Sequence, residues 1–304
     1  FKELELIDKI LELDEKRRAT QTELDNILSE SNKISKEIGA LMKAGKKEEA
    51  ENAKIKTADY KELSKNLSSK LDETSLELTQ MLYRIPNIPN EIVPEGKTAD
   101  DNLNIFQAGE IPTLFEGAIP HWELAKKYNI IDFELGVKIT GAGFPVYKGK
   151  GAKLQRALIS YFLDKNTSAG YQEFQVPHMV NEDSGYGTGQ LPDKEGQMYY
   201  VQADNLYLIP TAEVPVTNIF RDTILNENEL PIQCTAYTPC FRREAGSYGA
   251  HVRGLNRLHQ FDKVEIVRIE HPEKSYQALE EMVEHVKSIL DELKLPYRIL
   301  RLCG

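Results

Sequence analysis

Arg242, Arg243 and Glu244 stand side by side at the end of an apolar stretch, and several glycines follow them. The planar guanidinium group of arginine can form paired hydrogen bonds with phosphate oxygens. Glycines let the backbone turn sharply and approach a ligand closely. Further along, the ring of Phe261 offers a face on which a nucleobase can stack. This combination predicts a nucleotide site on an antiparallel hairpin.

The common glycine-rich nucleotide motifs are absent from the sequence. No segment matches the P-loop pattern G-x-x-x-x-G-K followed by Ser or Thr. Gly141 and Gly143 form a G-x-G pair, but no third glycine follows at the required spacing and Pro145 comes soon after. The predicted nucleotide site therefore belongs to neither the P-loop nor the dinucleotide-binding class.

A threonine and an acid stand two residues apart in the segment Pro210-Thr211-Ala212-Glu213. Thr211 can supply a hydroxyl and Glu213 an acid to a bound ligand. Taken alone, the same four residues favour an exposed β-turn.

Glu265 is a lone acid in the apolar strand pattern that ends at Val267. Strand alternation places its side chain on the face opposite its apolar neighbours. An isolated buried carboxylate is costly unless it is paired, so Glu265 is expected either to face water or to meet a cation.

Composition bounds the class of protein. The chain has 304 residues, of which 28% are charged and 40% hydrophobic, enough for two domains with a large core. No apolar run reaches the roughly 18 residues that span a membrane. Cys234, Cys240 and Cys303 are scattered without a Cys-x-x-Cys pair, which indicates reduced thiols in a cytoplasmic protein. The net charge of −10 argues weakly against nucleic-acid binding, although an acidic protein can carry local basic faces.

Residues from about 3 to 85 predict two long helices. Apolar side chains recur there at alternating three- and four-residue steps, as in coiled coils. The first run is Leu6, Ile10, Leu13, Leu24, Ile27, Ile34, Ile38 and Leu41, with Arg17, Thr20 and Ser31 at in-phase positions, and the second is Tyr60, Leu63, Leu67, Leu71, Thr74, Leu78, Met81 and Ile85. Gly45 lies between the runs, where glycine can end a helix. The pattern therefore predicts an antiparallel hairpin with helices about 50 Å long.

Seven lysines lie towards the predicted tip of this hairpin: Lys33, Lys36, Lys43, Lys46, Lys47, Lys54 and Lys56. From the residues alone they favour a solvated face that keeps the coil soluble. An RNA contact is the alternative.

The pattern changes after Ile85-Pro86-Asn87-Ile88-Pro89-Asn90, a linker by composition because prolines stop helices. Short apolar runs then alternate with turns, and helical patterns are kept apart from them. The strand patterns cover Tyr207 to Ile209, Ala236 to Tyr237, Val264 to Val267 and Arg298 to Leu302, and the helical ones Ala152 to Thr167 and Pro272 to Leu293. This arrangement predicts an α+β domain on an antiparallel sheet.

Three segments resemble one known family. F-R-R-E-A-G at 241–246, followed by R-G-L-N-R-L-H-Q-F at 253–261 and K-V-E at 263–265, is similar to motif 2 of class II aminoacyl-tRNA synthetases, in the variant of seryl-tRNA synthetases. Residues 208–215 resemble the serine-binding loop of that family. Residues 151–177 resemble motif 1, the helix-strand-proline element of the class II dimer interface. His251 departs from the resemblance, because the family usually has an acidic residue there.

The resemblance implies a serine–tRNA ligase that makes seryl-adenylate from L-serine and ATP and charges tRNA(Ser), and also tRNA(Sec) where it exists. It implies Arg242 as the catalytic residue between the α-phosphate and the serine carboxylate. Because that attacking carboxylate is already ionised at neutral pH, His259 has no evident general-base task and is expected to be structural. The implied serine-binding residues are Thr211, Ala212, Glu213, Arg242 and Glu265, and the implied ATP-binding residues are Arg242, Arg243, Glu244, Leu258 and Phe261.

The family also implies partners. Its N-terminal hairpin embraces the long variable arm of the tRNA, and S-N-K-I-S-K-E-I-G at 31–39 resembles that hairpin's sequence. The resemblance thus turns the basic tip into a predicted tRNA contact through Lys33, Lys36, Lys43, Lys46 and Lys47. A homodimer through the motif 1 region and Mg²⁺ bound with ATP are further implications, the metal ligand being expected in motif 3 and not in these residues.

The predicted organisation is a coiled-coil arm at 1–85, a linker at 86–103 and a class II catalytic domain at 104–304. Family members continue into motif 3, so the catalytic domain is expected to be incomplete and the chain inactive and poorly soluble by itself. Two other functions stay open: an amino acid:carrier-protein ligase, whose lineage usually lacks the long arm, and a non-catalytic RNA- or protein-binding module.

Overall fold

The computed structural model describes residues 4–193, 195–244 and 253–304. Phe1, and Ala245, Gly246 and His251 of the segment similar to motif 2, lie outside the described residues. The chain forms two compact units, one up to Leu103 together with Arg301–Gly304, and the other Asn104–Leu300.

The first unit contains the predicted helical hairpin. Helix α1 spans Leu4–Lys43 and α2 spans Lys47–Leu82. Gly45 adopts a φ of 76° between them, in the left-handed region that glycine enters at little cost. The amide of Lys46 then bonds back to the carbonyl of Leu41 at 3.0 Å, which closes the end of α1.

In the seam between α1 and α2, the spacing of the buried positions is regular, although not every residue at those positions is hydrophobic. In α1 the in-phase Arg17, Thr20 and Ser31 are all buried or half-buried, and Thr20 is only 4% exposed. In α2 the prediction for Leu63 is wrong: it is 39% exposed, and the half-buried Ser64 takes the seam position. The alternating three- and four-residue spacing from Tyr60 to Leu71 fixes which side faces the partner helix, so an apolar residue one position away stays outside.

The second unit is an α+β fold of short strands and separate helices. Its elements in chain order are β1 (Leu103–Ala108), α3 (His121–Lys127), β2 (Ile131–Asp132), α4 (Phe133–Ile139), β3 (Val146–Tyr147), α5 (Lys150–Ser168), β4 (Gln172–Glu173), β5 (Met179–Val180), α6 (Glu182–Gly187), β6 (Tyr200–Val201), β7 (Leu206–Leu208), α7 (Glu213–Asn218), β8 (Ile232–Phe241), β9 (Gln260–Ile269), α8 (Ser275–Glu292) and β10 (Tyr297–Arg301). Within the described part of the chain, no helix is both long enough and apolar enough to cross a bilayer.

The sheet that positions the candidate site has the strand order β4-β8-β9. Strands β8 and β9 pair antiparallel over ten residues each, as predicted. The edge strand β4 instead runs parallel to β8, with Gln172 opposite Cys234, which is possible because a long connection with its own strands and helices separates the two. The strand of the segment similar to motif 1 is short, since β4 spans only Gln172–Glu173.

The core of this unit lies on one face of β8. Val176, Ala212, Val216, Cys234 and Ala236 form its buried cluster. The other face meets α5, where the Asn166 amide donates to the Thr235 hydroxyl at 2.8 Å. Both faces of β8 are therefore covered, which keeps the β8–β9 register fixed.

Candidate functional site

The register of β8 and β9 brings two candidate side chains, Phe261 and Glu265, into one row with Lys263. Cys240 lies opposite Phe261, Thr238 opposite Lys263, and Ala236 opposite Glu265. Alternate residues of a strand share a face and lie about 6.7 Å apart. One face of β9 therefore presents an aromatic ring, a cation and an acid in sequence, with about 13 Å between the ring and the acid.

At the acidic end of this row, Thr211, Lys263 and Glu265 form a hydrogen-bonded cluster. The Thr211 hydroxyl donates to Oε2 of Glu265 at 2.6 Å and accepts from Nζ of Lys263 at 2.9 Å. Lys263 also pairs with Glu265 at 2.7 Å. Glu265 thus meets a cation, one of the two environments expected for it, while Lys263 was missed as a site residue. Its two-residue spacing from Glu265 on a strand was the signal that could have revealed it.

Thr211 is held in place by the buried residues around it. Ile209, Ala212, Val214 and Val216 are all fully buried, and the amide of Phe241 donates to the carbonyl of Ile209 at 2.8 Å. The loop between β7 and α7 is therefore anchored on both sides of Thr211, which is itself 4% exposed.

The two neighbours of Thr211 have different environments. Ala212 packs its methyl group into the core, so it can meet a ligand only through its backbone. Glu213 begins α7 with an exposed side chain, and its amide donates to the Thr211 hydroxyl at 3.1 Å. The structure therefore brings Thr211 and Glu265 together, and brings Glu213 to them through its backbone.

At the aromatic end of the row, Arg242 lies against Phe261. Its guanidinium carbon is 5.1 Å from the centroid of the Phe261 ring, a cation–π distance. Its amide donates to the carbonyl of His259 at 3.0 Å, which continues the β8–β9 pairing by one bond. The cation and the aromatic face predicted for a nucleotide are thus adjacent.

The remaining predicted nucleotide contacts surround this end. Glu244, whose side chain is 10% exposed, pairs with Arg257 at 3.2 Å. Leu258 is 7% exposed. Arg243 is exposed and is fixed through its amide, which donates to the carbonyl of Gln197 at 2.8 Å.

His259 is held by contacts within the protein. Its ring stacks on Phe144, with centroids 5.3 Å apart and an angle of 20°, and its Nδ1 lies 2.7 Å from the hydroxyl of Tyr199. Burial raises the pKa of Tyr199. Gly143 adopts a φ of 82°, and a side chain there would collide with the His259 ring. These contacts favour the structural role predicted for His259.

A cavity of about 840 Å³ adjoins the Glu244 end of the site. Glu244, Arg253, Arg257 and His259 line one side, and the other is lined by side chains from 122–144, including Trp122, Lys126, Asp132 and Phe144. The Leu255 amide donates to Nε2 of His121 at 2.9 Å, and the guanidinium of Arg253 lies 5.9 Å from the Trp122 ring. Sequence reasoning gave no role to this 121–144 segment, since nothing local to it signals contact with residues 253–259.

Behind the site, a buried chain of hydrogen bonds supports the backbone of Glu265. Nε2 of His285 lies 2.7 Å from Oδ1 of Asn166, whose amide nitrogen donates to Thr235 at 2.8 Å. The Thr235 hydroxyl donates to the carbonyl of Glu265 at 2.8 Å. Burial, and then the charge of Lys165, lower the pKa of His285, so its neutral form holds this position.

Two family models match the chain. The model described as seryl-tRNA synthetase N-terminal domain matches residues 1–89, and that described as tRNA synthetase class II core domain (G, H, P, S and T) matches residues 199–304. The chain is 50% identical over 299 residues to the serine–tRNA ligase of Salinibacter ruber, covering 98% of this chain and 70% of the relative. It is 47% identical over 298 residues to the serine–tRNA ligase of Hydrogenobaculum sp., with the same coverage. The chain belongs to the seryl-tRNA synthetase family.

Solved structures agree with this family. The seryl-tRNA synthetase of Pyrococcus horikoshii, solved in complex with ATP, is 30% identical with a TM-score of 0.80, over 98% of this chain and 70% of that one. The cytoplasmic serine–tRNA ligase of Naegleria fowleri, in complex with AMP, is 26% identical with a TM-score of 0.76, over 97% and 68%. The predicted family, its enzyme class and the α+β fold with an N-terminal helical hairpin are thereby confirmed.

The lysines predicted to contact tRNA differ in their local partners. Lys33 pairs with Glu30 at 2.6 Å, and Lys46 with Glu49 at 2.9 Å. Lys36, Lys43 and Lys47 are exposed, and the described residues provide no ion pair for them. Of the five lysines predicted to contact tRNA in this seryl-tRNA synthetase arm, these three are the most available to an external phosphate.

Neither the cysteines nor the carboxylates suggest a metal centre in the described ranges. Cys234 and Cys240 are fully buried free thiols, and burial raises the pKa of both. Residues 4–193, 195–244 and 253–304 contain no group of three or more His, Cys, Asp or Glu side chains that could hold an ion.

Proposed function

We propose that this member of the seryl-tRNA synthetase family forms seryl-adenylate from L-serine and ATP and transfers the seryl group to tRNA(Ser). The observation that carries the proposal is the row on β9, with the Thr211–Glu265 pair at one end and the Arg242–Phe261 pair at the other. A small ligand with an ammonium group and a hydroxyl matches the first pair. A nucleotide with an anionic phosphate and an aromatic base matches the second.

In the first step, a carboxylate oxygen of serine attacks the α-phosphorus of ATP. A new phosphorus–oxygen bond forms, the bond to the oxygen that bridges to the β-phosphorus breaks, and pyrophosphate leaves. The attacking carboxylate is already ionised at neutral pH, so no general base is required. Positioning of the two reactants and neutralisation of charge carry the step.

Each predicted residue has a task in this step. Glu265 binds the serine ammonium and Thr211 hydrogen-bonds the serine, with Glu213 and the backbone of Ala212 shaping the same loop. Arg242 bridges the serine carboxylate and the α-phosphate, where negative charge concentrates. Phe261 stacks on the adenine, which Glu244, Leu258 and Arg243 surround.

Mg²⁺ enters the proposal only as the counter-ion of the ATP phosphates. The described residues do not form a set of ligands for it, so the ion is proposed to arrive bound to ATP.

The second step moves the seryl group from the adenylate to the terminal ribose of the tRNA, with AMP as the leaving group. The α1–α2 hairpin is proposed to hold the tRNA through Lys33, Lys36, Lys43, Lys46 and Lys47, and tRNA(Sec) is proposed as a second substrate. RNA held in this way is recognised by its shape and backbone. We also propose a homodimer through residues 151–177 and a cytoplasmic location. The proposed domains are an arm at 1–85, a linker at 86–103 and a catalytic domain at 104–304.

The test is amino-acid-dependent ATP–pyrophosphate exchange by a chain that continues through motif 3, since the 304 residues by themselves are expected to be inactive. Binding of non-hydrolysable aminoacyl-adenylate analogues is its companion. We expect exchange with serine and about 10- to 200-fold less with threonine, which carries one extra methyl group. We expect little exchange with alanine, which lacks the hydroxyl and leaves its hydrogen-bond partners in the site unpaired. We expect the seryl analogue to bind more tightly than the alanyl one, which lacks the hydroxyl. Exchange or binding that does not distinguish serine from alanine would contradict the proposed function.

A further inference from the structure

The hydrogen-bonding capacity of Thr211 is fully used inside the protein. A hydroxyl group has one donor and two acceptor sites. Its donor goes to Glu265 at 2.6 Å, and its acceptors take Lys263 at 2.9 Å and the amide of Glu213 at 3.1 Å. A serine that is to bind Thr211 must therefore displace one of these three partners.

Lys263 is the partner that can leave. The Glu213 amide is backbone at the start of α7, and Glu265 is fixed in β9 by the Thr235 hydrogen bond to its carbonyl. Lys263 has a side chain that is 32% exposed and a flexible four-carbon stem. It also lies 2.7 Å from Oε2 of Glu265, the carboxylate that the substrate ammonium needs.

Lys263 and the serine substrate thus offer the same chemical group, an ammonium, to Glu265. Two ammonium groups on one partly buried carboxylate leave an excess positive charge, which is unfavourable away from water. When the substrate ammonium takes Glu265 and Thr211, the lysine has a place to go on its own face of β9. The register places it between Glu265 and Phe261, beside Arg242, where the serine carboxylate and the α-phosphate would meet.

We propose that Lys263 is a substrate-displaced cation, which holds the Thr211–Glu265 pair until the serine ammonium replaces it and then neutralises the reacting carboxylate and α-phosphate beside Arg242. The inference rests on the proposed function. It adds a residue to the activation step and a reason for selectivity, because only a ligand with an ammonium group releases the second cation.

Kinetics of Lys263→Met separate this role from a structural one. The variant has no competing ammonium, so we expect the KM for serine to stay the same or to fall. The kcat of ATP–pyrophosphate exchange should fall by about 100-fold, as on loss of one charge-stabilising donor. Lys263→Arg keeps the charge and should recover part of kcat. A raised KM for serine with an unchanged kcat would overturn the inference.

Lys148→Met is the matched control. Lys148 pairs with Asp132 at 2.8 Å, with side chains 33% and 30% exposed, so its exposure resembles that of Lys263. Thermal unfolding of both variants shows what the loss of one half-exposed ion pair does to stability, and only Lys263→Met should lose exchange.

A direct measurement on the wild-type protein does not depend on how the variants fold. Lysine labelled at the side chain, with the Lys263 resonance assigned through Lys263→Arg, is titrated with L-serine and with 3-hydroxypropionate, which lacks the ammonium. We expect serine to move the Lys263 resonance and 3-hydroxypropionate to leave it unchanged. If the protein catalyses serine-dependent ATP–pyrophosphate exchange but saturating serine does not move the Lys263 resonance, this inference alone is contradicted. If there is no serine-dependent ATP–pyrophosphate exchange, the proposed function itself is contradicted.

Discussion

The α1–α2 hairpin and the β8–β9 hairpin are both antiparallel pairs, yet they treat polar side chains in opposite ways. In the α1–α2 seam, Thr74 is 3% exposed and its hydroxyl bonds to the carbonyl of Lys70 in its own helix at 2.7 Å. In the site, the equally buried Thr211 bonds to residues of β9 more than 50 positions away. The first threonine is satisfied locally, and the second depends on the fold.

This difference predicts how well each hairpin tolerates amino-acid substitutions. In a seam built from a repeat of three- and four-residue steps, many similar side chains share the packing, so a change at one of them weakens the seam only slightly. A strand pair fixes every side chain through its register, and a slip of one residue would move Glu265 to the opposite face. We therefore expect substitutions in the site to be costly and specific, and most substitutions in the seam to be mild.

The largest effect is expected for Glu265→Gln, which removes the charge that is proposed to bind the substrate ammonium. Loss of one partner of a partly buried charge pair costs about 2–5 kcal/mol, so the KM for serine should rise by about 30-fold or more. Steady-state exchange kinetics measure it.

Glu281→Gln is the control for this prediction. Glu281 lies in α8 and pairs at 2.6 Å with Arg268 of β9, the strand that also carries Glu265. Arg268 lies opposite Gln233 in the register, on the other face of β9. Equal KM values for serine in the two variants would contradict the role of Glu265.

The next prediction compares the two buried threonines through the same substitution, threonine to valine. Thr211→Val removes the hydroxyl that joins Lys263 to Glu265, and should raise the KM for serine about tenfold, since a lost hydrogen bond to a charged group costs about 1.5–3 kcal/mol. Thr74→Val removes a hydroxyl that serves only its own helix, and should change the free energy of unfolding by about 1 kcal/mol or less. Urea unfolding and exchange kinetics on both variants test the comparison, which fails if Thr74→Val is the more damaging of the two.

The smallest effect is a pH dependence carried by His285. Burial holds its pKa below the usual 6.5, so the unfolded chain binds this proton more readily than the folded one. Its contribution to stability is complete above about pH 6.5 and is lost progressively as the pH falls below that value. His285→Gln keeps a donor for Asn166 and does not titrate, so its free energy of unfolding should fall less between pH 6.5 and 5. Identical slopes in urea unfolding for the two proteins would contradict this.

The local parts of this molecule could be predicted from sequence. The bounds of α1 and α2 follow from a repeat that spans the whole arm, and Gly45 marks the turn because few residues other than glycine favour its φ. Apolar patterns at 236–237 and 264–267 mark the middle of β8 and β9, and the proposed site residues come from a long family motif.

The parts that escaped prediction are contacts between distant segments. Lys263 received no role from the sequence, because its contact with Thr211 depends on a loop 52 positions earlier. The chain from His285 through Asn166 to Thr235 joins α8, α5 and β8, and no spacing within one element signals it. Leu63 was wrongly predicted in the seam because it is hydrophobic. The seam spacing from Tyr60 to Leu71 favours Ser64 instead.

The two hairpins are proposed to divide the work, with β8–β9 activating serine and α1–α2 holding tRNA. The variant in which Lys36, Lys43 and Lys47 are all changed to Gln tests this division most directly. We expect unchanged serine-dependent exchange and weaker tRNA(Ser) binding, with the slope of log affinity against log salt reduced by about one for each phosphate that the arm no longer neutralises. Unchanged tRNA affinity, or a loss of exchange equal to the loss of tRNA binding, would contradict the division.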